Sequence, residues 1–277
     1  MTDRVKLGIS TCPNDTFAFH ALRGREVDWR GLDIEVELTD VEDLNRRLLA
    51  GEFDAAKASF HAALRLADRV VVLPAGSALG FGVGPLVLAR PGPRPAEEDA
   101  RVLCPGEHTT AHLLWRLFHP AAPRVEQVVF SAIMPALAAG KADLGVCIHE
   151  GRFTYGTYGL ERVEDLGETW ERRTGAPLPL GGIVARRALG DARLAALAGV
   201  IADSLEWGLA HREACLPSMR AAAREQVDAV LWQHVELYVN DWTRDLGEEG
   251  RAALAALAEL ARETGLVPAD APALEVL

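Results

Sequence analysis

Lysine, paired cysteine and long apolar runs are scarce or missing in this sequence. Lysine occurs only at positions 6, 57 and 141, and arginine supplies the other basic side chains. The formal charge is −11 at pH 7. A chain so poor in net positive charge lacks the basic face that a phosphate backbone demands, so a nucleic-acid partner is excluded. The four cysteines (Cys12, Cys104, Cys147 and Cys215) contain no Cys-x-x-Cys pair. They are expected to be reduced thiols of a cytosolic protein rather than metal ligands. The histidines form no His-x-x-x-His pair with a nearby carboxylate on a shared face, so no metal is expected. No stretch approaches the roughly 20 apolar residues that span a bilayer. The opening Met-Thr-Asp-Arg-Val-Lys has no uninterrupted apolar core of a secretory signal. A cytoplasmic protein without a membrane partner is the expectation.

What is present is a globular composition, 49% apolar over 277 residues, enough for one large domain or two lobes. Val5–Ser10 reads as a first strand, followed by the turn Thr11–Asn14 and a helix over Asp15–Arg23 capped by Asn14 or Asp15. Leu32–Leu38 alternates apolar and acidic residues with the period of a half-wet strand. Leu44, Leu48 and Leu49 then repeat at helical spacing, and Phe53–Ser59 leads into a third strand. This βαβαβ order predicts a parallel sheet. Val70–Leu73 and Leu86–Ala89 are further strands. The glycine-dense segment Gly76–Pro85 between them fails as a dinucleotide loop because Pro85 follows at once and no helix begins; it reads as a hinge or cleft-lining turn.

A second unit has strands over Val102–Cys104, Val125–Phe130 and Asp143–Ile148, with helices over Ala111–Phe118 and Ala132–Ala139. Leu180–Arg186 reads as a strand returning to the first unit, and the chain from Gly190 is nearly all helix. The expected lobes are 1–89 with 188–277, and 90–187. Two crossings between two α/β lobes make a hinged cleft, the topology of type II periplasmic binding proteins.

The apolar run Leu144–Ile148 ends abruptly in His149, Glu150, Gly151 and Arg152. Polar residues just past a buried strand lie where open α/β sheets hold ligands. An imidazole with a pKa of about 6.5 suits proton abstraction near neutrality, although a histidine there also serves as a structural or ligand-contacting group. Thr109 and Thr110 precede a helix, a place that serves as an N-cap, as an anion site, or as both. Lys57 and Ser59 close the third strand; a lysine there either faces solvent at an edge or is buried with a partner. Cys12 reads as a turn thiol, since nothing in the sequence supplies a base for it.

Five segments in register carry a family resemblance: Leu7–Phe17, Lys57–Ser59, Gly80–Leu86, Pro105–Ala111 and Ile148–Tyr155. With Asp165–Trp170, Arg173–Gly181 and Tyr238–Asn240, they span nearly the whole chain. The sequence resembles the 1,4-dihydroxy-6-naphthoate synthases of the futalosine route to menaquinone. Thr11 stands where that family has proline, and Gly151 where some members have serine.

The resemblance implies a lyase that cleaves cyclic dehypoxanthine futalosine without a cofactor, on a solute-binding fold. It makes His149 the general base and Ser59, Thr109 and Thr110 ligand contacts. Lys57, Asn14 and Arg152 complete the expected substrate-binding set around a carboxylated small molecule. A chorismate dehydratase-like enzyme shares the fold and the anion site but not the His-Glu-Gly-Arg motif. A non-catalytic solute receptor is expected to carry an export signal.

Overall fold

In the computed structural model, which describes residues 4–121, 125–223 and 227–277, the chain builds two mixed β-sheets. Its strands are β1 (Val5–Ser10), β2 (Ile34–Thr39), β3 (Ala55–Ser59), β4 (Val70–Val72), β5 (Ala78–Gly80) and β6 (Leu86–Ala89). They continue as β7 (Val102–Cys104), β8 (Val125–Gln127), β9 (Leu144–Cys147), β10 (Glu161–Asp165) and β11 (Leu178–Arg186). The first sheet runs β2-β1-β3-β11-β4, with β5 also on β11; the second runs β10-β6-β9-β7-β8.

Strands β1, β2 and β3 are parallel, as the βαβαβ order predicts, and β1 pairs with β2 from Val5↔Ile34 to Ser10↔Thr39. The sheet is mixed because β11 returns antiparallel to β3. Sheet membership corrects the boundaries expected at 89/90 and 187/188. Strand β6 bonds to β9 and β10, so residues 86–89 belong with the second sheet. Strand β11 bonds to β3, β4 and β5, so residues 178–186 belong with the first. The crossings therefore lie at residues 81–85 and 175–177.

Both crossings are pinned. Tyr238 donates to the Val83 carbonyl at 3.3 Å, and Asn240 Nδ2 to the Leu79 carbonyl at 2.9 Å. Trp170 Nε1 donates to the carbonyls of Ala176 and Pro177. Gly84 lies backbone-to-backbone on Gly167: a Cβ at 84 would stand 2.2 Å from the Gly167 nitrogen. Only glycine permits that approach.

Three expectations change locally. The helix over Asp15–Arg23 is two short helices, Pro13–Ala18 and His20–Gly24. The first is capped by Cys12 without a side-chain bond, and Pro13 opens it where a missing N–H does no harm. The strand expected to Phe130 ends at Gln127, and a helix spans Phe130–Ala138. Strands β5 and β10 are additional.

The apolar side chains of β1 (Leu7, Ile9) and of the helix Asp191–Ala210 (Leu194, Leu197, Ile201) share one core; Ile133 and Leu137 pack under the second sheet in another. Burial of such side chains, at roughly 25 cal/mol per Å² of apolar area, holds each layer to its sheet. Among the described residues no helix is long and apolar enough to cross a membrane.

Candidate active site

A cleft lies between the sheets and is lined from both sides. The parallel pairing of β1 with β3 brings their carboxyl ends together at its floor. Lys57 is buried there, with Nζ 2.9 Å from Asp15 Oδ1 and donating to the Gly76 carbonyl at 2.8 Å. Ser10 Oγ donates to Asp15 Oδ2 at 2.5 Å, and Asn14 Nδ2 to Oδ1 at 2.9 Å. A buried ammonium is tolerated because this carboxylate and carbonyl match it. Of the two readings of Lys57, the buried, partnered one is observed. Asn14, Lys57 and Ser59 all line the cleft. The Ser59 hydroxyl accepts from Asn45 Nδ2 at 3.1 Å, which leaves its own O–H to rotate.

The opposite wall begins at Thr109, which caps the helix Thr110–Phe118. Its hydroxyl accepts from His112 N at 3.2 Å and donates to the Gly106 carbonyl at 2.8 Å. Thr110 Oγ1 donates to the Leu180 carbonyl at 2.6 Å, joining the second lobe to β11 of the first. The first-turn amides of this helix lack intrahelical acceptors and Thr110 and Ala111 line the cleft, so backbone N–H groups remain for an anion. Nearby, Glu42 receives the His108 amide at 3.2 Å on each oxygen, a second contact between the lobes. Burial pushes the Glu42 carboxyl up to about 6.

Arg152 lines the cleft, but its guanidinium clamps the crossing. It donates to the Gly84 carbonyl and to Asp165 Oδ2, both at 2.7 Å. Asp165 in turn accepts from the amides of Gly167 and Glu168. Both cations expected to meet substrate, Lys57 and Arg152, thus already have carboxylate partners.

His149 follows β9 in the left-handed region, φ 57°, uncommon for a residue with a Cβ. That turn carries the ring across the cleft to Cys12, with Nδ1 3.1 Å and Nε2 3.6 Å from the sulfur. Phe130 abuts it edge-on, ring centroids 4.9 Å apart. Burial lowers the His149 pKa from its ordinary 6.5, while Glu150, Asp40 and Asp15 oppose that shift; the ring is a neutral imidazole at pH 7. Burial, reinforced by Glu150 and Asp15, holds the Cys12 thiol well above its ordinary value. Cys12 is therefore held as a thiol, although the fold supplies beside it the imidazole that the sequence did not reveal.

Two groups escaped the sequence reading. Asp15 was expected only as a helix cap, yet it is the counter-ion of Lys57. His234 and Tyr238, from the helix Asp228–Tyr238, line the cleft as well. His234 lies on the apolar face of Leu231 and Val235, the signal that could have singled it out. Among the described residues no group of three or more His, Cys, Asp or Glu side chains is placed to hold a metal ion.

Two α/β lobes around one cleft define the periplasmic-binding-protein-like class of fold. The ligand-binding component of an ABC-type import system from Staphylococcus aureus shares this fold (TM-score 0.71, 14% identity, covering 97% of this chain and 94% of that one). Within this class the chain belongs to the menaquinone biosynthesis family, whose model matches residues 5–263. It is 48% identical over 264 residues to the 1,4-dihydroxy-6-naphthoate synthase of Thermus thermophilus, covering 95% of this chain and 96% of the relative. It is 44% identical over 281 residues to the enzyme of that name from Streptomyces coelicolor, covering 98% and 97%. The crystal structure of a protein from Archaeoglobus fulgidus superposes with a TM-score of 0.90 at 30% identity, covering 95% and 98%.

Proposed function

We propose that the protein is a lyase that converts cyclic dehypoxanthine futalosine to 1,4-dihydroxy-6-naphthoate, with His149 as general base. The observation that carries this reading is the placement of the His149 imidazole at the cleft, neutral, reached by a left-handed turn and opposed by a thiol that stays protonated. A thiol is a weak hydrogen-bond partner, so substrate displaces it at little cost. The free nitrogen then takes a proton beside a carbonyl and the electron pair moves toward that carbonyl oxygen; cleavage of the carbon–carbon bond to the sugar-derived remainder releases that fragment as a second product, which takes up the proton held on His149 while the ring that stays behind aromatises. Proton transfer, bond cleavage and aromatisation involve no net electron transfer, so the chemistry calls for no redox cofactor.

The substrate carboxylate is read onto the Thr110 and Ala111 amides and the Ser59 hydroxyl, because Lys57 and Arg152 are already paired. With both lobes around it, the reacting centre is shielded from water. The substrate is a soluble metabolite, consistent with a cytoplasmic enzyme acting without nucleic acid or membrane. Incubating the purified protein with cyclic dehypoxanthine futalosine and assaying 1,4-dihydroxy-6-naphthoate by mass tests the reading. Formation of that product supports it; quantitative recovery of unchanged substrate rejects it.

A further inference from the structure

His234 is buried to 1% exposure on the helix Asp228–Tyr238, yet neither of its ring nitrogens has a hydrogen-bond partner among the described residues. Its ring borders the cleft, 6.3 Å from the ring of His149 and inclined 28° to it. Tyr238 packs 4.5 Å away and Phe153 6.3 Å away, so aromatic rings occupy its sides without serving its nitrogens. Buried polar atoms are nearly always paired, and leaving both nitrogens bare is unfavourable. Leucine or phenylalanine would pack the same position with no such penalty. A histidine kept there at a loss in stability points to a partner that the folded chain does not contain.

We propose that His234 is a second substrate-contacting imidazole, whose N–H donates to the oxygen that gains charge as His149 withdraws the proton. This rests on the reading of His149 as the base. Burial, with the positive charge of Lys57 nearby, holds the ring neutral far below its ordinary pKa. A neutral imidazole carries one N–H donor and does not compete for the proton that His149 removes. No proton moves from His234. The bond breaking is C–H, the bond forming is N–H on His149, and the electron pair placed on the carbonyl oxygen is held by the His234 hydrogen bond.

The test compares wild type, His234→Phe and His234→Gln in turnover of cyclic dehypoxanthine futalosine, binding of 1,4-dihydroxy-6-naphthoate and thermal unfolding. Removing a preorganised donor to a developing oxyanion lowers kcat by about 10²–10³-fold. His234→Phe should show that loss with product affinity within about fivefold and a melting temperature no lower than wild type, since it deletes two unpaired buried atoms. His234→Gln, which retains an N–H, should recover at least about tenfold of the lost rate.

Wild-type turnover matched by His234→Phe to within threefold overturns this assignment alone, as does a loss confined to KM. Wild type that forms no product overturns the underlying reading and this assignment with it. If His234→Phe does not fold, ¹⁵N-histidine NMR of the wild type decides. Added 1,4-dihydroxy-6-naphthoate should shift the His234 ring nitrogens, and unchanged resonances overturn the contact.

Discussion

The Cys12 sulfur lies 3.1 Å from Nδ1 of His149, a contact between residues 137 positions apart that joins the end of one sheet to the end of the other across the cleft. Burial and neighbouring carboxylates keep the thiol protonated, so the pair is not the thiolate–imidazolium couple of a cysteine nucleophile. Cys12→Ala should therefore retain activity to within about tenfold, because only an orienting contact is lost. Iodoacetamide should inactivate the protein slowly at pH 7. Rapid inactivation, or a loss in Cys12→Ala as deep as that in a His149 variant, would make the sulfur a participant.

A base must be neutral to act. The His149 pKa lies below 6.5, so kcat/KM should rise with pH along an acidic limb whose midpoint is below 6.5 and be flat near neutrality. A limb centred above 7 would contradict the burial of this imidazole.

The Lys57–Asp15 pair makes a stability prediction. Lys57→Met leaves the Asp15 carboxylate buried beside Ser10 and Asn14 without its cation. Breaking one side of such a pair costs about 3–5 kcal/mol, which urea unfolding at pH 7 resolves. The double variant Lys57→Met with Asp15→Asn should recover part of that loss. If Lys57→Met alone is neutral, the pair is solvated and the cleft floor is wetter than described.

Glu42 joins the lobes through the His108 amide, and its carboxyl titrates near 6 in the folded chain against 4.5 without burial. A raised carboxyl pKa means that the folded state holds its proton more tightly than the unfolded chain. Its contribution is therefore full below pH 4.5 and is lost as pH rises through 6. Glu42→Gln should flatten the pH dependence of unfolding in that window and leave the remainder of the curve in place. An unchanged slope between those limits would place the titration elsewhere.

The fold was legible where one residue pattern sufficed. Val5–Ser10, Leu86–Ala89 and Val102–Cys104 are strands over the expected residues because buried apolar runs leave few alternatives. Strand β10 reads Glu-Arg-Val-Glu-Asp, and strand β5 has three residues inside a glycine-rich turn; neither offers a hydrophobic period. Tertiary pairing with β6 and β11 makes them strands. The same distinction holds in the cleft. His149, Thr109, Thr110 and Ser59 stand at element ends, and Lys57 is the one charge in a strand of small residues, so local sequence marks them. Asp15 and His234 become site residues only through contacts 42 positions away for one, and through a helix packed against a distant cleft for the other. Local sequence offers only the polar break that His234 makes in the apolar face of Leu231 and Val235; the distances themselves come from the fold.

Removal of the substrate proton by His149 is the step on which the proposed reaction depends. Turnover of cyclic dehypoxanthine futalosine by His149→Gln, measured beside its affinity for 1,4-dihydroxy-6-naphthoate, tests it most directly. In this variant kcat should fall by about 10²–10⁴-fold with product binding still measurable. Full turnover in that variant would contradict it.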